Sequence, residues 1–226
     1  MFRHVVRHHG NGCVMLAKQK DEKTIDLLGT AFICHAKGYL LTAAHTFSLT
    51  DKLGFVPPVP IGQFNKSQQE TFNFIPVTVA QFDAVNDVAL LKLNSDVTVG
   101  VPPNIFGTDE LTPIGSSLCY LGFPHAHNGQ HALKASSSIL GSKVISTNST
   151  KQLVLDSMVE QGNSGGPVID LASNRIIGIV SRRFSPTGSN GGIRIGNHAL
   201  GTESTISYAT AISHALALFD AEGLHD

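Results

Sequence analysis

The chain has 226 residues, 42 % of them hydrophobic and 15 % charged, with 22 glycines, 10 prolines and no tryptophan. Charge is well below the roughly 25 % of an average domain, and this balance suits short strands and tight turns better than long solvated helices. Sixteen basic against seventeen acidic side chains, a formal net charge of −1, exclude the electrostatic footprint of a nucleic-acid or acidic-membrane binder.

The N-terminus, Met1 to Gly12, is basic and His-rich without an apolar run, so no signal peptide is expected. Three cysteines, Cys13, Cys34 and Cys119, cannot all pair within the chain, and none lies in a Cys-x-x-Cys spacing for zinc. Free buried thiols and a cytoplasmic location are expected. Thr30–Cys34 and Tyr39–Thr42 read as a hairpin turning at Ala36-Lys37-Gly38, followed by a single helical turn over Ala43–Phe47. Phe74–Phe82 and Val88–Leu93 are the next strands. Asn94–Pro113, polar and carrying three prolines, reads as a linker. Ser117–Leu121, Ala132–Ser146 (two strands meeting near Gly141), Leu153–Asp156, Pro167–Asp170, Ile176–Ser181 and Thr205–Ala209 follow, with a long glycine-rich surface loop over Ser185–Gly201. Ala211–Leu224 places Ile212, Ala215, Leu216 and Phe219 on one helical face. Many short strands in succession predict an all-β sandwich or barrel. The longest apolar runs, such as Ile176–Val180, fall far short of the roughly 18 residues of a membrane span.

Three segments carry chemistry. Gly162-Asn163-Ser164-Gly165-Gly166-Pro167 sets a serine among glycines, whose dihedrals can turn successive N–H groups toward one point. Such a nest can hold a developing oxyanion while the hydroxyl attacks a carbonyl. Read alone, it could also be a turn between strands. A serine needs a base, and His45 follows a strand and two small alanines that leave its ring room to reach across a cleft. Asp87 directly precedes the apolar strand Val88–Leu93, where it could orient an imidazole or merely cap a turn. Together they appear in the chain order His45, Asp87, Ser164, the order of the chymotrypsin-type triad.

With these motifs the chain resembles the trypsin-like serine proteases of the chymotrypsin fold, and among them the bacterial HtrA/DegP-type catalytic domain. The resemblance rests on Gly29–Phe32, Gly38–His45, Asp87–Leu93, Tyr120–Pro124, Leu153–Pro167 and Ile176–Val180. It implies one protease domain over 1–226: two six-stranded antiparallel β-barrels, about 25–100 and 114–210, and a C-terminal helix over about 211–224. It also implies serine endopeptidase activity on a polypeptide substrate. His45 would be general base, Asp87 its orienting partner, Ser164 the nucleophile, and Gly162, Asn163 and Ser164 the oxyanion hole, with the N–H groups of Gly162 and Ser164 as donors; Ser181 would support Asp87 and the substrate backbone. The residue before the serine is Asn163, not the Asp that pairs with a freshly cut N-terminus in secreted members, so activation without such a cut is implied. No PDZ domain is expected after the closing helix.

The same resemblance builds a pocket from Asp156–Gln161, Ile179–Arg183 and Ser204–Tyr208. Met158 and Val159 would form an apolar floor, favouring cleavage after Val, Ala, Leu or Met, with Gln161, Ser181 and Arg182 also touching substrate. His125, His127 and His131 alternate as ligands might, but without a nearby carboxylate no metal site is expected, and no cofactor. Two other readings stay open: a protease-like binding module that has lost the reaction or awaits a partner, and an esterase with the same triad.

Overall fold

Alternation of buried side chains along short strands closes the chain into two barrels. The computed structural model describes residues 1–64, 71–94, 98–183, 194–195, 198–199 and 206–224. The first barrel holds β1 (Cys13–Gln19), β2 (Ile25–His35), β3 (Tyr39–Thr42), β4 (Leu53–Val56), β5 (Ile75–Asp83) and β6 (Val88–Leu93), in the order β1-β2-β3-β6-β5-β4. The second holds β7 (Ser117–Gly122), β8 (Lys134–Ile145), β9 (Lys151–Asp156), β10 (Pro167–Asp170), β11 (Arg175–Arg183) and β14 (Ile206–Ala211), in the order β10-β11-β14-β9-β8-β7. Among the described residues every pairing between these strands is antiparallel, as at Thr42↔Ala89 and Val168↔Tyr120. Between β11 and β14, only β12 (Arg194–Ile195) and β13 (His198–Ala199) are described, and they pair with each other. The loop expected over 185–201 otherwise lies outside the described residues.

Most of these strands are apolar on both faces because each face has something to cover. In β7, Leu118 and Tyr120 point into their own barrel while Cys119 and Leu121 join the core between barrels. In β3 the roles fall to Leu40 inside and Leu41 between. β6, β10 and β11 alternate in the same way, with Leu91, Val168 and Ile177 inside and Leu90, Ile169 and Ile176 between. The period-2 side-chain geometry of a strand thus builds three cores from one set of strands.

The helix α2 (Ile212–Ala221) closes the junction. Ile212, Ala215, Leu218 and Phe219 are buried, and Phe219 meets Phe106 of the linker edge to face at 5.4 Å. Leu216, expected on that face, is only partly buried. At the other end, α1 (Phe2–His9) buries Val5 and His9. His9 Nε2 donates to the Asn174 carbonyl of the second barrel at 3.0 Å, and burial pushes its pKa down.

Several elements differ from expectation. The first barrel starts at Cys13, ahead of the expected boundary, because β1 pairs with both β2 and β4. The stretch over 132–146 is one strand, not two, since Gly141 sits at a register shift between Leu140 and Ser142 and bends β8 without ending it. No helix among the described residues is long and apolar enough to cross a membrane.

Leu121 is fully buried between the barrels. Leu121→Ala should destabilise the chain by about 2–5 kcal/mol in urea unfolding, with the denaturant slope unchanged. A loss under 1 kcal/mol would mean that the two barrels do not share a rigid core.

Candidate active site

The first half of the site comes from the first barrel. After β3 the chain makes one short helical turn, Ala44–Thr46, which lifts His45 out beside the cleft with its ring half-exposed. Asp87 ends the four-residue loop between β5 and β6 with φ at 57°, a conformation that Asp tolerates better than bulky residues. The Asp83 carboxylate shapes that loop by accepting the Val85 and Asn86 N–H groups at 3.0 Å. Two hydroxyls of the second barrel hold it from outside: Thr150 donates to Val85 O at 3.2 Å and Thr210 to Asn86 O at 3.1 Å.

Asp87 then takes four hydrogen bonds. Its Oδ1 accepts the His45 backbone N–H at 2.9 Å, and its two oxygens lie 2.9 and 2.8 Å from His45 Nδ1. Ser181 Oγ donates to Oδ2 at 2.5 Å. Burial raises the carboxyl pKa, but the bonds and charge of His45 and the Ser181 hydroxyl outweigh it and hold it below the ordinary value. An ionised Asp87 fixes the Nδ1–H tautomer, leaving His45 Nε2 as the free acceptor.

The second half is the loop before β10. Gly162 has φ 100° and Gly165 φ 87°. A Cβ on Gly162 would lie 2.3 Å from Phe123 O, and one on Gly165 would lie 2.0 Å from Thr30 O, so no other residue fits either place. The Gln161 carbonyl accepts the His125 N–H at 2.7 Å. A trans peptide points its N–H opposite to its C=O, so the Gly162 N–H faces away from His125. The N–H groups of Gly162 and Ser164 donate to no protein group among the described residues. Asn163, expected as part of the oxyanion hole, donates nothing to it: its N–H is turned back to Glu160 O at 3.1 Å. Its side chain is 1 % exposed, with Nδ2 unpartnered.

Thr30 of β2 was not singled out from the sequence, yet it anchors this loop. Its hydroxyl donates to Gly162 O at 2.7 Å and accepts the Phe123 N–H at 3.1 Å. Its N–H donates to Ser164 O at 2.9 Å. The only signal for it was a polar residue between Gly29 and Ala31 in an otherwise apolar strand.

Ser164 Oγ donates to the Ser181 carbonyl at 2.9 Å, and no hydrogen bond joins it to His45. Ser181 therefore touches both halves, its hydroxyl on Asp87 and its carbonyl on Ser164. The other expected substrate residues are placed differently. Met158 is 44 % exposed, its carbonyl accepting the Tyr120 hydroxyl at 3.4 Å, and so makes an open apolar surface, not a buried floor. Val159 packs into the core of the second barrel, its N–H donating to Ser207 Oγ at 2.9 Å; it braces the wall without lining it. Gln161 is exposed beside the loop, and Glu160 turns outward to Lys134 at 2.6 Å. Arg182 is exposed next to Ser181. Among the described residues no cluster of three His, Cys, Asp or Glu could hold a metal ion.

Residues 29–179 match the family model of the trypsin-like peptidase domain. Among curated proteins, a "Probable periplasmic serine endoprotease DegP-like" of Rickettsia prowazekii is 28 % identical over 180 residues, 77 % of this chain and 31 % of that protein. "Protease Do-like 1, chloroplastic" of Arabidopsis thaliana is 25 % identical over 195 residues, 79 % of this chain and 39 % of that protein. Among solved structures, the HtrA-type protease AlgW with tripeptide has a TM-score of 0.71 at 20 % identity, covering 98 % of this chain and 63 % of the other. The serine endoprotease from Yersinia pestis has a TM-score of 0.67 at 19 % identity, covering 98 % and 66 %. These structural likenesses show a shared fold. The chain spans about a third or less of the first curated relatives it matches.

Two outcomes follow from this geometry. Thr30→Val keeps the shape but strands the Gly162 carbonyl and the Phe123 N–H. It should cost about 1–3 kcal/mol in chemical denaturation, with most of it returned by Thr30→Ser; equal stability of all three proteins would refute the anchoring role. Asp87, with its folded pKa below the unfolded value, contributes stability above the ordinary carboxylate range that is lost as pH falls through the folded value. From about pH 5 downward, the wild type should lose stability more steeply than Asp87→Asn. Parallel curves would remove Asp87 from that role.

Proposed function

The chain belongs to the trypsin-like peptidase domain family, and from that premise we propose that it is a serine endopeptidase whose triad is His45, Asp87 and Ser164. The observation that carries the reading is the Asp87–His45 pair, bonded at 2.8 Å, in one junction with Ser164 and the two open N–H groups of Gly162 and Ser164.

In this mechanism His45 Nε2 takes the Ser164 proton as Oγ bonds to the scissile carbonyl carbon. The carbonyl oxygen, now negative, accepts from the Gly162 and Ser164 N–H groups. The imidazolium, stabilised by Asp87, then protonates the departing amine. Water repeats the sequence in reverse on the acyl-enzyme, with His45 again as base.

One observation adds a second element, a resting state. Ser164 Oγ rests on the Ser181 carbonyl, and a rotation about its side-chain torsion between staggered wells turns it toward His45. An extended substrate whose main-chain N–H takes the Ser181 carbonyl would release Ser164 for that rotation. A peptide cleft that uses this carbonyl also favours a peptidase over an esterase. The reading places the protein in the cytoplasm, supported by three buried, unpaired thiols at Cys13, Cys34 and Cys119. Burial pushes the Cys119 thiol up to about 11 and the Cys13 thiol higher still, so neither is a nucleophile at neutral pH.

A fluorophosphonate probe should label the wild type and fail on Ser164→Ala. Asp87→Asn, which leaves the wrong imidazole tautomer, should lower kcat on a peptide substrate by about 10⁴. Undiminished labelling of Ser164→Ala, or no labelling of the folded wild type with or without an added peptide, would overturn the reading.

A further inference from the structure

A cavity of about 450 Å³ opens beside His45, and none of residues 158–161 lines it. Its apolar wall is the pair Phe47 and Phe82, packed edge to face at 5.7 Å. Its polar lining contains two groups that the triad does not use. Arg182 is exposed, and its guanidinium makes no ion pair or hydrogen bond among the described residues. Gln152 is 8 % exposed, and its carboxamide has no hydrogen bond to a protein group among the described residues. An amide at a cavity wall without a protein partner is left for solvent or a ligand to satisfy.

The charges facing the cavity decide what that is. Among the described residues Asp87 is its only lining carboxylate, and His45 and Ser181 already occupy its oxygens. Asp83, on the same loop, is turned inward to the Val85 and Asn86 N–H groups. Arg182 is thus the uncompensated charge, and Gln152 can add N–H donors from the buried side. Planar donors of this kind match a carboxylate. The position of the ligand follows from strand geometry. Side chains of an extended peptide alternate between faces. If the residue supplying the scissile carbonyl points toward Met158–Gln161, the second and fourth residues on the acyl side point to His45 and this cavity.

We propose that this cavity is a subsite for an acidic side chain at the second or fourth residue on the acyl side of the scissile bond, held by Arg182 and Gln152. The inference rests on the peptidase reading and adds to it the substrate class, acidic peptides.

The test is a set of fluorogenic peptides differing only by Glu, Gln or Lys at each of the four acyl-side positions. Wild type should prefer Glu over Gln at position two or four by about tenfold in kcat/KM, and show no such preference at one or three. In Arg182→Gln the Glu-to-Gln ratio should fall to about one, and in Arg182→Glu the preference should turn to Lys. In Gln152→Leu the ratio should also fall. In parallel, binding of the Glu and Gln peptides to Ser164→Ala is measured by fluorescence anisotropy, where the same preference should appear and vanish on adding Arg182→Gln. Turnover without a Glu preference, or a preference that survives in Arg182→Gln, overturns the subsite and leaves the peptidase reading standing. If no peptide is turned over, the peptidase reading fails, and equal binding of the two peptides to Ser164→Ala overturns the subsite as well.

Discussion

The Thr30 hydroxyl sits between the Gly162 carbonyl at 2.7 Å and the Phe123 N–H at 3.1 Å, wholly buried where the two barrels meet. Its own N–H reaches the Ser164 carbonyl, and its carbonyl accepts the Thr42 hydroxyl at 2.8 Å. Thr42 ends β3, two positions before the turn that carries His45. A single polar residue of the first barrel therefore ties the histidine's strand to the serine's loop, through its hydroxyl and its own backbone groups. Backbone-to-hydroxyl bonds of this kind leave little slack, because each donor and acceptor is buried and has no water to turn to. The glycines are the other half of the same constraint. The Gly165 chain passes so close to Thr30 that a Cβ has no place, and only glycine permits that approach at positive φ.

That lock requires the barrels to hold still against each other, and the two-faced strands supply the reason. Leu41, Leu90, Leu121 and Ile169 fill the space between barrels from both sides, while their neighbours Leu40, Leu91, Tyr120 and Val168 fill the barrels themselves. Sliding one barrel over the other would open voids in the shared layer, and close-packed interiors resist that strongly. The electrostatics depend on the same rigidity. Asp87 is held by partners from both barrels, His45 from one and Ser181 from the other. The site is a property of the junction, and neither barrel contains it alone.

This explains which parts were legible in the sequence. His45, Asp87 and Ser164 lie in short motifs whose chemistry is local: a histidine after small residues, an acid before an apolar strand, a serine among glycines. Ser181 was legible from its place after Gly178-Ile179-Val180. Thr30, Thr150 and Thr210 were not, since each acts on a carbonyl far away in the chain, and a lone buried threonine has no local signature. β4 was missed because Leu53–Val56 is four residues long, interrupted by Gly54 and followed by two prolines. The apolar floor at Met158 failed for a related reason. Residue type told that the side chain is apolar, but whether it is covered depends on the walls that the chain brings around it. Gln152 escaped notice because a polar residue ahead of Leu153–Asp156 looks like a strand edge until the first barrel comes against that face.

Ser181 shows how little backbone geometry separates these functions. In β11, Val180 pairs with Ala209 and Arg182 with Tyr208, so Ser181 is the extra residue of a bulge. A bulge releases a residue from the ladder and re-aims its neighbours. Freed in this way, the Ser181 carbonyl faces the cleft and meets Ser164, while its hydroxyl reaches across to Asp87. The same extra residue sets the face on which Arg182 emerges. Side chains alternate with period two, so pairing Val180, Ser181 and Arg182 without the bulge would put Arg182 on the face of Val180, inside the barrel. The support of the catalytic acid, the acceptor for an extended substrate and the charge beside His45 are therefore fixed together by one unpaired residue. None of the three can be altered by changing that backbone without disturbing the other two.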